Sequence, residues 1–503
     1  MIIENLVKIF FHEVNYQYYS LDEGIFQDHL MNWNSLSFST LKNPLELSGD
    51  MQFFPALLFQ CLALALQFLP LEYDPSLDSL KYAIDMSFDD VANDYSQSGN
   101  SIMTLLGKRN ATLITVQAGF LRTSFLKNYG MVPESWHSLS QTIRDAQEIG
   151  LQYSDNEGGK RNGIPRDDFE SHHASWTSNH IDRRDGKPPF PIDAPVPVNH
   201  QEVAPAPRTK SDPPTPLSII LWTSELSAPL WDIFVLEKED PHRKDFAKVG
   251  KMHDSINQIS SYFPPYLRVH NPDTSFDDHL DCYWLPRARF NLQNNADFTT
   301  MTLHRPYIFV NLSNRILALK AALEALDAQR TFFNLLIHTR YKMVCSALRT
   351  FDAAVLTAAI YIMYPLENRD DLESSLQHVQ WAMERFEVMG DRNPIAKAAL
   401  GVLRAVYVRL KKALGPASCM ESSSSSLSAP SKFNFSSIAP PQPINDLLYN
   451  NLSTIYEPKS VEWASTDKHG LFDLDAADGT EIWQFDGDFR NDSFWVFMND
   501  YDP

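Results

Sequence analysis

The chain has 503 residues, 44% hydrophobic and 12% aromatic, and its 63 acidic and 43 basic side chains give a formal net charge of −20. This length and apolar content suffice for a large buried core, which excludes a wholly disordered chain. Neutralising phosphates requires clustered Lys and Arg, so a sequence pI near 5.1 excludes a protein whose whole surface binds nucleic acid.

The N-terminal segment MIIENLVKIFFHEV contains Glu4 and Lys8 and lacks the basic start of a signal peptide, so it predicts an amphipathic helix. The four cysteines, at positions 61, 282, 345 and 419, form no closely spaced pair. Sparse cysteines of this kind indicate a reducing intracellular compartment, cytoplasm or nucleus.

Residues 53–69, FFPALLFQCLALALQFL, are almost continuously apolar. A helix of this length reaches about 25 Å, which is less than the hydrocarbon thickness of about 30 Å. Gln60 and Gln67 interrupt the segment and no basic cluster flanks it, so it predicts a buried core helix and no membrane association.

Four later segments have apolar residues three and four positions apart, which predicts amphipathic helices. The predicted stripes are Trp136, Leu139, Ile143 and Ala146; Leu312, Ile316, Leu319, Leu323 and Leu326; Leu372, Leu376, Val379, Met383 and Phe386; and Ile395, Ala399, Val402, Val406 and Leu410. Asp370 and Asp371 precede the third stripe, and Gly415 with Pro416 ends the fourth. Alternating strand patterns are not evident, so we expect an all-α fold, a multi-helix array of antiparallel helices.

Two segments interrupt the helical pattern by composition. Residues 188–216 contain 10 prolines, and residues 415–443 are dominated by Ser and Pro, so neither supports a packed helix. The predicted organisation is an N-terminal helical part (1–170), a His/Pro-rich irregular linker (171–216), a central helical part (217–414), a Ser/Pro-rich linker (415–443) and a disordered acidic tail (444–503).

The tail interleaves acidic and aromatic residues: residues 471–503 contain nine Asp or Glu, one Arg and eight aromatics. Carboxylates keep such a segment soluble while its rings can enter a hydrophobic groove of a partner, which is typical of acidic activation segments. A disordered tail without this role, or a tail that packs on its own helical body, has the same composition. The candidate activation contacts are Trp483, Phe485, Phe489, Phe494, Trp495 and Phe497.

Two clusters have residue types suited to metal binding. Asp277, Asp278 and Asp281 in DDHLD match the DDxxD pattern of all-α isoprenoid synthases, but no second carboxylate motif follows them, as a magnesium site would require. His172, His173 and His180 lie beside the proline-rich segment without a regular scaffold. P-loop, HExxH, GxSxG and dinucleotide motifs are not present. We therefore expect no catalytic residues, metal or cofactor, and a protein that is not an enzyme.

Three segments in this order resemble the middle homology region of fungal zinc-cluster transcription factors: ESWHSLSQTIRDAQEIGLQYSD (134–155), TLHRPYI (302–308) and MERFEVMGDRNPIAKAALGVLRAVYVRL (383–410). The second is similar to the family's His-Arg-Pro helix start, and the likeness spans roughly residues 38–414. It implies a nuclear transcription regulator with a helical regulatory domain, whose tail contacts coactivators or the transcription machinery. Its DNA contact would be indirect or through a partner or missing module.

The family's DNA reader is an N-terminal pair of zinc ions held by six closely spaced cysteines, and Cys61 is the only cysteine among the first 281 residues here. Zinc is therefore expected only if such a cluster precedes this sequence, as in a truncated gene product. The Pro165–Val198 segment also departs from the family pattern, with only Ile181–Arg183 and the Gly186–Pro188 turn matching it. Dimerisation, activation versus repression, and an all-α metal-dependent isoprenoid-type enzyme using Asp277, Asp278 and Asp281 stay open as alternatives.

Overall fold

A computed structural model of the chain describes residues 2–43, 46–70, 72–107, 111–149, 151, 212–239, 245–335 and 342–415. Within these ranges there are thirteen helices of eight or more residues and no β-strand, which confirms the all-α prediction. The helices are α1 (Ile2–Ile9), α2 (Glu23–Ser35), α3 (Gly49–Gln67), α4 (Phe88–Leu106), α5 (Leu113–Asn128), α6 (Val132–Glu148), α7 (Pro216–Glu239), α8 (Ala247–Ser261), α9 (Leu285–His304), α10 (Leu312–Leu335), α11 (Val344–Met363), α12 (Leu372–Met389) and α13 (Pro394–Leu414). The predicted His/Pro-rich linker, apart from its last residues, and the whole tail lie outside these ranges.

The N-terminal helices pack around α3, which contacts α1, α4 and α5. Phe53, Phe54 and Leu64 of α3 are fully buried. Gly99 lets α4 approach α3 closely, because a Cβ there would lie 2.6 Å from Gln60 Nε2 and 2.9 Å from the carbonyl oxygen of Ala56. The predicted core helix in this region is therefore confirmed.

The C-terminal helices pack around α9 and α11. Helix α9 contacts α7, α8 and α10, and α11 contacts α10, α12 and α13. Helix α10 packs extensively against α9, and its buried residues include five alanines: Ala318, Ala321, Ala322, Ala325 and Ala328. Such small side chains let the two helix backbones come close together.

Several contacts join the N-terminal helices to the C-terminal ones within one compact unit that includes all described residues up to Leu414. The hydroxyl of Tyr283 donates a hydrogen bond to the carbonyl of His12 at 3.0 Å, and their rings stack at 4.2 Å. Lys342 forms an ion pair with Asp89 at the start of α4. The two groups of helices therefore share contacts between residues more than 250 positions apart in sequence.

Three described helices are long and apolar enough to cross a membrane by length and composition: Gly49–Gln67, Pro216–Glu237 and Ser346–Met363. Of their most apolar windows, 61%, 35% and 72% respectively is buried inside the fold. The first of them is α3, and its apolar side chains form the N-terminal core.

The helices predicted from periodicity form, but two of the predicted stripes are only partly buried. In α10, Leu312 and Ile316 are 52% and 44% exposed, whereas Leu319 and Leu326 of the same stripe are buried. In α6, Trp136 is 51% exposed while Thr142 is buried against Gly119 of α5. The α12 and α13 stripes are buried or half-buried as predicted, and Gly415 follows α13 with a φ of +52°.

Candidate functional site

The predicted activation contacts, Trp483 to Phe497, lie outside the described residues, as do His172, His173 and His180. The aspartates of DDHLD are described. Asp277 and Asp278 lie in a turn at residues 275–278, and Asp281 lies in a short 3₁₀ helix, Leu280–Cys282, so the three do not lie along an α-helix.

Asp277 serves as an anchor for this turn. Its two carboxylate oxygens accept hydrogen bonds from Arg289 of α9, at 2.7 Å from Nη1 and 2.5 Å from Nη2. The Arg289 side chain is only 5% exposed, and it also donates to the carbonyl of Tyr266 at 2.8 Å. Both Asp277 oxygens therefore already bind a buried cation.

The other two aspartates face solvent. Asp278 is exposed, and the Asp281 side chain is 84% exposed, with its carboxylate 3.8 Å from His279 Nδ1. In the part of the chain that the structure describes, no group of three or more His, Cys, Asp or Glu could hold a metal ion. The isoprenoid-type alternative stays a prediction, in which Asp277 would have to exchange Arg289 for a metal.

Helix α9 has a polar interior that the sequence analysis missed. Pro286 occupies its first turn, and the sequence NLQNNADFTTMTLH lacks the apolar spacing that marks an amphipathic helix. Contacts with α7, α8 and α10 nevertheless bury it at the centre of the C-terminal group. Its buried polar side chains include Asn294, Asn295, Asp297 and His304.

His304, the last residue of α9, joins α9 to two neighbouring helices. Its Nδ1 lies 2.6 Å from Asn314 Oδ1 of α10, and its Nε2 lies 3.0 Å from His253 Nδ1 of α8. Burial lowers the pKa of His304 to about 4. The hydrogen bond to Asn314 opposes this lowering of the pKa, and nearby His253 adds to it. The imidazole is thus neutral at pH 7; the network assigns its proton to Nδ1, with Nε2 accepting from His253.

Asp297 lies two helical turns before His304 and is equally buried. Burial raises its pKa to about 8; the amide of Gln293, which donates to Oδ1 at 2.8 Å, opposes this rise, and Glu324 adds to it. The carboxyl is therefore largely protonated at pH 7 and can donate a hydrogen bond.

Three side-chain oxygens of α9 have no hydrogen-bond partner among the described atoms: Asn294 Oδ1, Asn295 Oδ1 and Asp297 Oδ2. Buried polar atoms normally have a partner, because desolvation without a hydrogen bond costs about 1–3 kcal/mol each. The two amide oxygens can therefore accept hydrogen bonds from a small donor such as water, while the protonated Asp297 carboxyl can donate one.

The described residues of the three segments that carry the family resemblance lie in this helical body. Residues 134–148 belong to α6, and residues 383–410 form the end of α12 and most of α13. The His-Arg-Pro motif does not start a helix as predicted: His304 ends α9, a 3₁₀ turn spans Arg305–Tyr307, and α10 begins at Leu312. Pro306 fits this turn because it lacks an N–H, which a continuing helix would need.

Comparisons with known proteins add no assignment to this geometry: no protein-family model matches the chain, and no curated protein matches it.

Proposed function

We propose that this chain is a transcription regulator, in which the helical body governs how the acidic-aromatic tail, residues 444–503, meets the transcription machinery. Support comes from the order of the three segments that resemble the middle homology region and from the tail's composition. In this proposal the protein works in the nucleus and contacts DNA indirectly or through another module.

The observation that carries the proposal is the location of the three segments within one packed helical body. Each segment contributes a residue to its interior: Ala146 of α6, His304 of α9 and Arg385 of α12 are all buried. Arg385 donates to the carbonyl of Leu326 in α10 at 3.4 Å. The residues of the resembling segments thus serve the packing of one all-α body, which is what a helical regulatory domain requires.

The mechanism is a coupling free energy between the body and the tail. If the body in one state restrains the tail, a ligand or partner that prefers the other state raises the fraction of tail that is free to bind a coactivator. The aromatic rings would enter the coactivator's groove, and the carboxylates would keep the free tail soluble.

A reporter assay tests the tail's role. Residues 444–503 are fused to a foreign DNA-binding module, and the fusion is compared with a variant carrying Trp483→Ala, Phe494→Ala and Trp495→Ala. The control variant carries Tyr449→Ala, Tyr456→Ala and Trp463→Ala, which remove three aromatics outside the acidic stretch. We expect activation that the first variant loses and the control retains. A silent fusion, or equal output from both variants, would contradict the proposal.

A further inference from the structure

The last helix of the body, α13, differs in charge from the rest of the chain. It contains five basic residues and no acidic one, whereas the chain has a formal charge of −20. No other numbered helix has a net charge above +2. The five are Lys397, Arg404, Arg409, Lys411 and Lys412, and all are exposed.

The exposed residues of α13 form a continuous line. Lys397, Gly401, Arg404, Val408 and Lys411 follow one another at steps of four, three, four and three, which places them on one side of the helix. We call these five residues the basic face. The opposite side of α13 packs against α11 and α12, so the basic face is turned away from the core.

The positive charge of the basic face is little neutralised by the body. Arg404 pairs with Glu387 of α12 at 3.2 Å, where both side chains are more than half exposed, and such surface pairs are weak. Lys411 lies 5.3 Å from the ring centre of Tyr407. Lys397 has no ion pair with any residue that the structure describes.

The basic face also offers apolar contact. Val408 is 69% exposed, and Val388 beside Glu387 on α12 is 50% exposed. A Cβ added at Gly401 would meet no atom within 4 Å, so the middle of the face is open to an approaching ring. A ligand that suits this surface combines carboxylates with aromatic side chains, which can pack on valines and lie against Lys and Arg.

The C-terminal end of this chain has that chemistry. Residues 485–503 contain five Asp, one Arg and six aromatics. They are separated from α13 by residues 415–484, and 70 residues can span about 230 Å at about 3.3 Å each, against a length of about 32 Å for α13. The connection therefore permits an intramolecular contact, which also raises the effective concentration of the segment.

We propose that residues 485–503 dock on the basic face of α13, with their carboxylates against Lys397, Arg404 and Lys411 and their rings over Gly401 and Val408. This contact would cover the aromatic side chains Phe494, Trp495 and Phe497. The docking itself needs no transcriptional role for the tail; only its consequence, that a docked tail is withheld from coactivators, rests on the proposed function.

Zero-length carbodiimide crosslinking of the full chain tests the contact, because it joins a lysine only to a carboxylate in direct contact. We expect Lys412, which borders the basic face, to be linked to aspartates of residues 485–503, with the yield falling in about 1 M NaCl, where the Debye length is about 3 Å. The double variant Lys397→Glu, Lys411→Glu should reduce this link several-fold. The control Lys8→Glu, Lys251→Glu makes the same change of charge on exposed sites of α1 and α8 and should retain it.

The aromatic contribution is tested with Phe494→Ala, Phe497→Ala, which should also reduce the Lys412 link. The proposal would be overturned if the unmodified chain showed no link between Lys412 and residues 485–503. It would also be overturned if the α13 double variant and the Lys8→Glu, Lys251→Glu control lost this link equally. Links only between isotopically labelled and unlabelled copies in a mixture would assign the contact to a second copy and overturn it as well. A specific link combined with a silent tail fusion would retain the docking and reject the transcriptional function.

Discussion

Helices α3 and α9 have nearly equal lengths and central positions, yet their interiors differ. Gln60 of α3 is completely paired: its Nε2 donates to the carbonyl of Ser96 at 2.9 Å, and its Oε1 accepts from Ser96 Oγ at 2.9 Å. Gln67 of α3 nevertheless keeps an Oε1 without a partner among the described atoms, as Asn295 and Asp297 of α9 do for one oxygen each. The two helices differ in titratable groups, since α9 buries Asp297 and His304 while α3 buries neither an acidic residue nor a histidine. The N-terminal core is therefore held mainly by apolar packing, while the C-terminal core contains polar groups that respond to solution conditions.

This difference has a thermodynamic consequence. Apolar burial contributes about 25 cal/mol per Å² whatever the protonation state. Buried titratable groups contribute a free energy that changes with pH whenever their folded and unfolded pKa values differ. The N-terminal core should therefore be sensitive to side-chain volume, and the C-terminal core to charge and proton concentration.

The largest loss of stability should come from breaking the ion pair between Asp277 and the buried Arg289 of α9. Asp277→Ala leaves Arg289 buried without its carboxylate, which should lower the free energy of unfolding by about 3 kcal/mol. Urea unfolding followed by circular dichroism measures the change. The matched control is Asp281→Ala, because that side chain is 84% exposed and its loss should change stability little. Equal stabilities of the two variants would contradict an anchoring role for Asp277.

The same control decides the isoprenoid-type alternative. Asp281→Ala keeps the fold and removes one member of the DDxxD pattern, so an enzyme of this class would lose magnesium-dependent release of diphosphate from prenyl substrates. Absence of such release from the unmodified chain would remove this alternative.

An increase in side-chain volume should destabilise the protein more at the contact of α3 with α4 than on the exposed side of α8. Gly99→Ala places a methyl group against Gln60 and the backbone of Ala56, which should cost about 2 kcal/mol through overpacking. Gly250→Ala in α8, where an added Cβ meets nothing within 4 Å, should instead stabilise by up to about 1 kcal/mol. Thermal unfolding of both variants measures the contrast. If Gly99→Ala left the melting temperature unchanged, α3 and α4 would be able to move apart and make room for the methyl group.

The pH dependence of α9 is the next test. In the folded chain the pKa of Asp297 is about 8, above its ordinary value of 3.8. Its stabilising contribution is therefore complete below pH 3.8 and is lost as the pH rises towards 8. His304 has the opposite sign, since its pKa falls from 6.5 to about 4, so its contribution is complete above pH 6.5 and is lost as the pH falls to 4.

Of these two groups, only Asp297 changes its contribution between pH 6.5 and 8, at up to about 1.4 kcal/mol per pH unit. Asp297→Asn stays neutral at every pH, so the stability difference between the variant and the unmodified chain should grow in the variant's favour over this interval. Melting temperatures measured at pH 6.5, 7.2 and 8 provide the readout. A constant difference would mean that Asp297 is already ionised in the folded state.

The smallest effect concerns single hydrogen bonds. Ser96→Ala removes the donor to Gln60 Oε1 and should lower the free energy of unfolding by about 1 kcal/mol. Asn295→Leu removes a side chain of α9 whose Oδ1 is already unpaired, and it should leave stability unchanged or raise it. Urea midpoints compare the two variants. The Asn295 Nδ2 makes only a long hydrogen bond, 3.5 Å, to Thr223 Oγ1, so equal losses in the two variants would show that Asn295 Oδ1 has a partner in solution.

The sequence predicted helices wherever the apolar spacing was regular, including α12 and α13 and the end at Gly415. It did not predict that Leu312 and Ile316, at the start of α10, are exposed while Leu319 and Leu326 are buried, because spacing alone does not show which turns of a helix its neighbours cover. Helix α9 was missed altogether, since its burial comes from three neighbouring helices and not from its own periodicity.

For the candidate site, composition alone identified the acidic-aromatic tail. The role of Asp277 could not be read from DDHLD, because its partner Arg289 lies 12 residues further on and only the fold brings the two together. The His253–His304 pair has a sequence separation of 51 residues and was equally invisible. Local residue spacing therefore predicts helices, whereas the pairing of buried groups depends on how the whole chain folds.

The stacking of His12 on Tyr283 bears on how the protein is made. During synthesis at about 5–20 residues per second, the ribosome needs about 15–50 s to extend the chain from one residue to the other. For that interval the segment that follows α1 lacks its contact with Tyr283, and Asp89 lacks Lys342 for a similar time, because 253 residues separate them. The newly synthesised N-terminal helices therefore leave exposed the surface that the C-terminal helices later cover. Molecular chaperones can bind this surface until the C-terminal helices emerge from the ribosome.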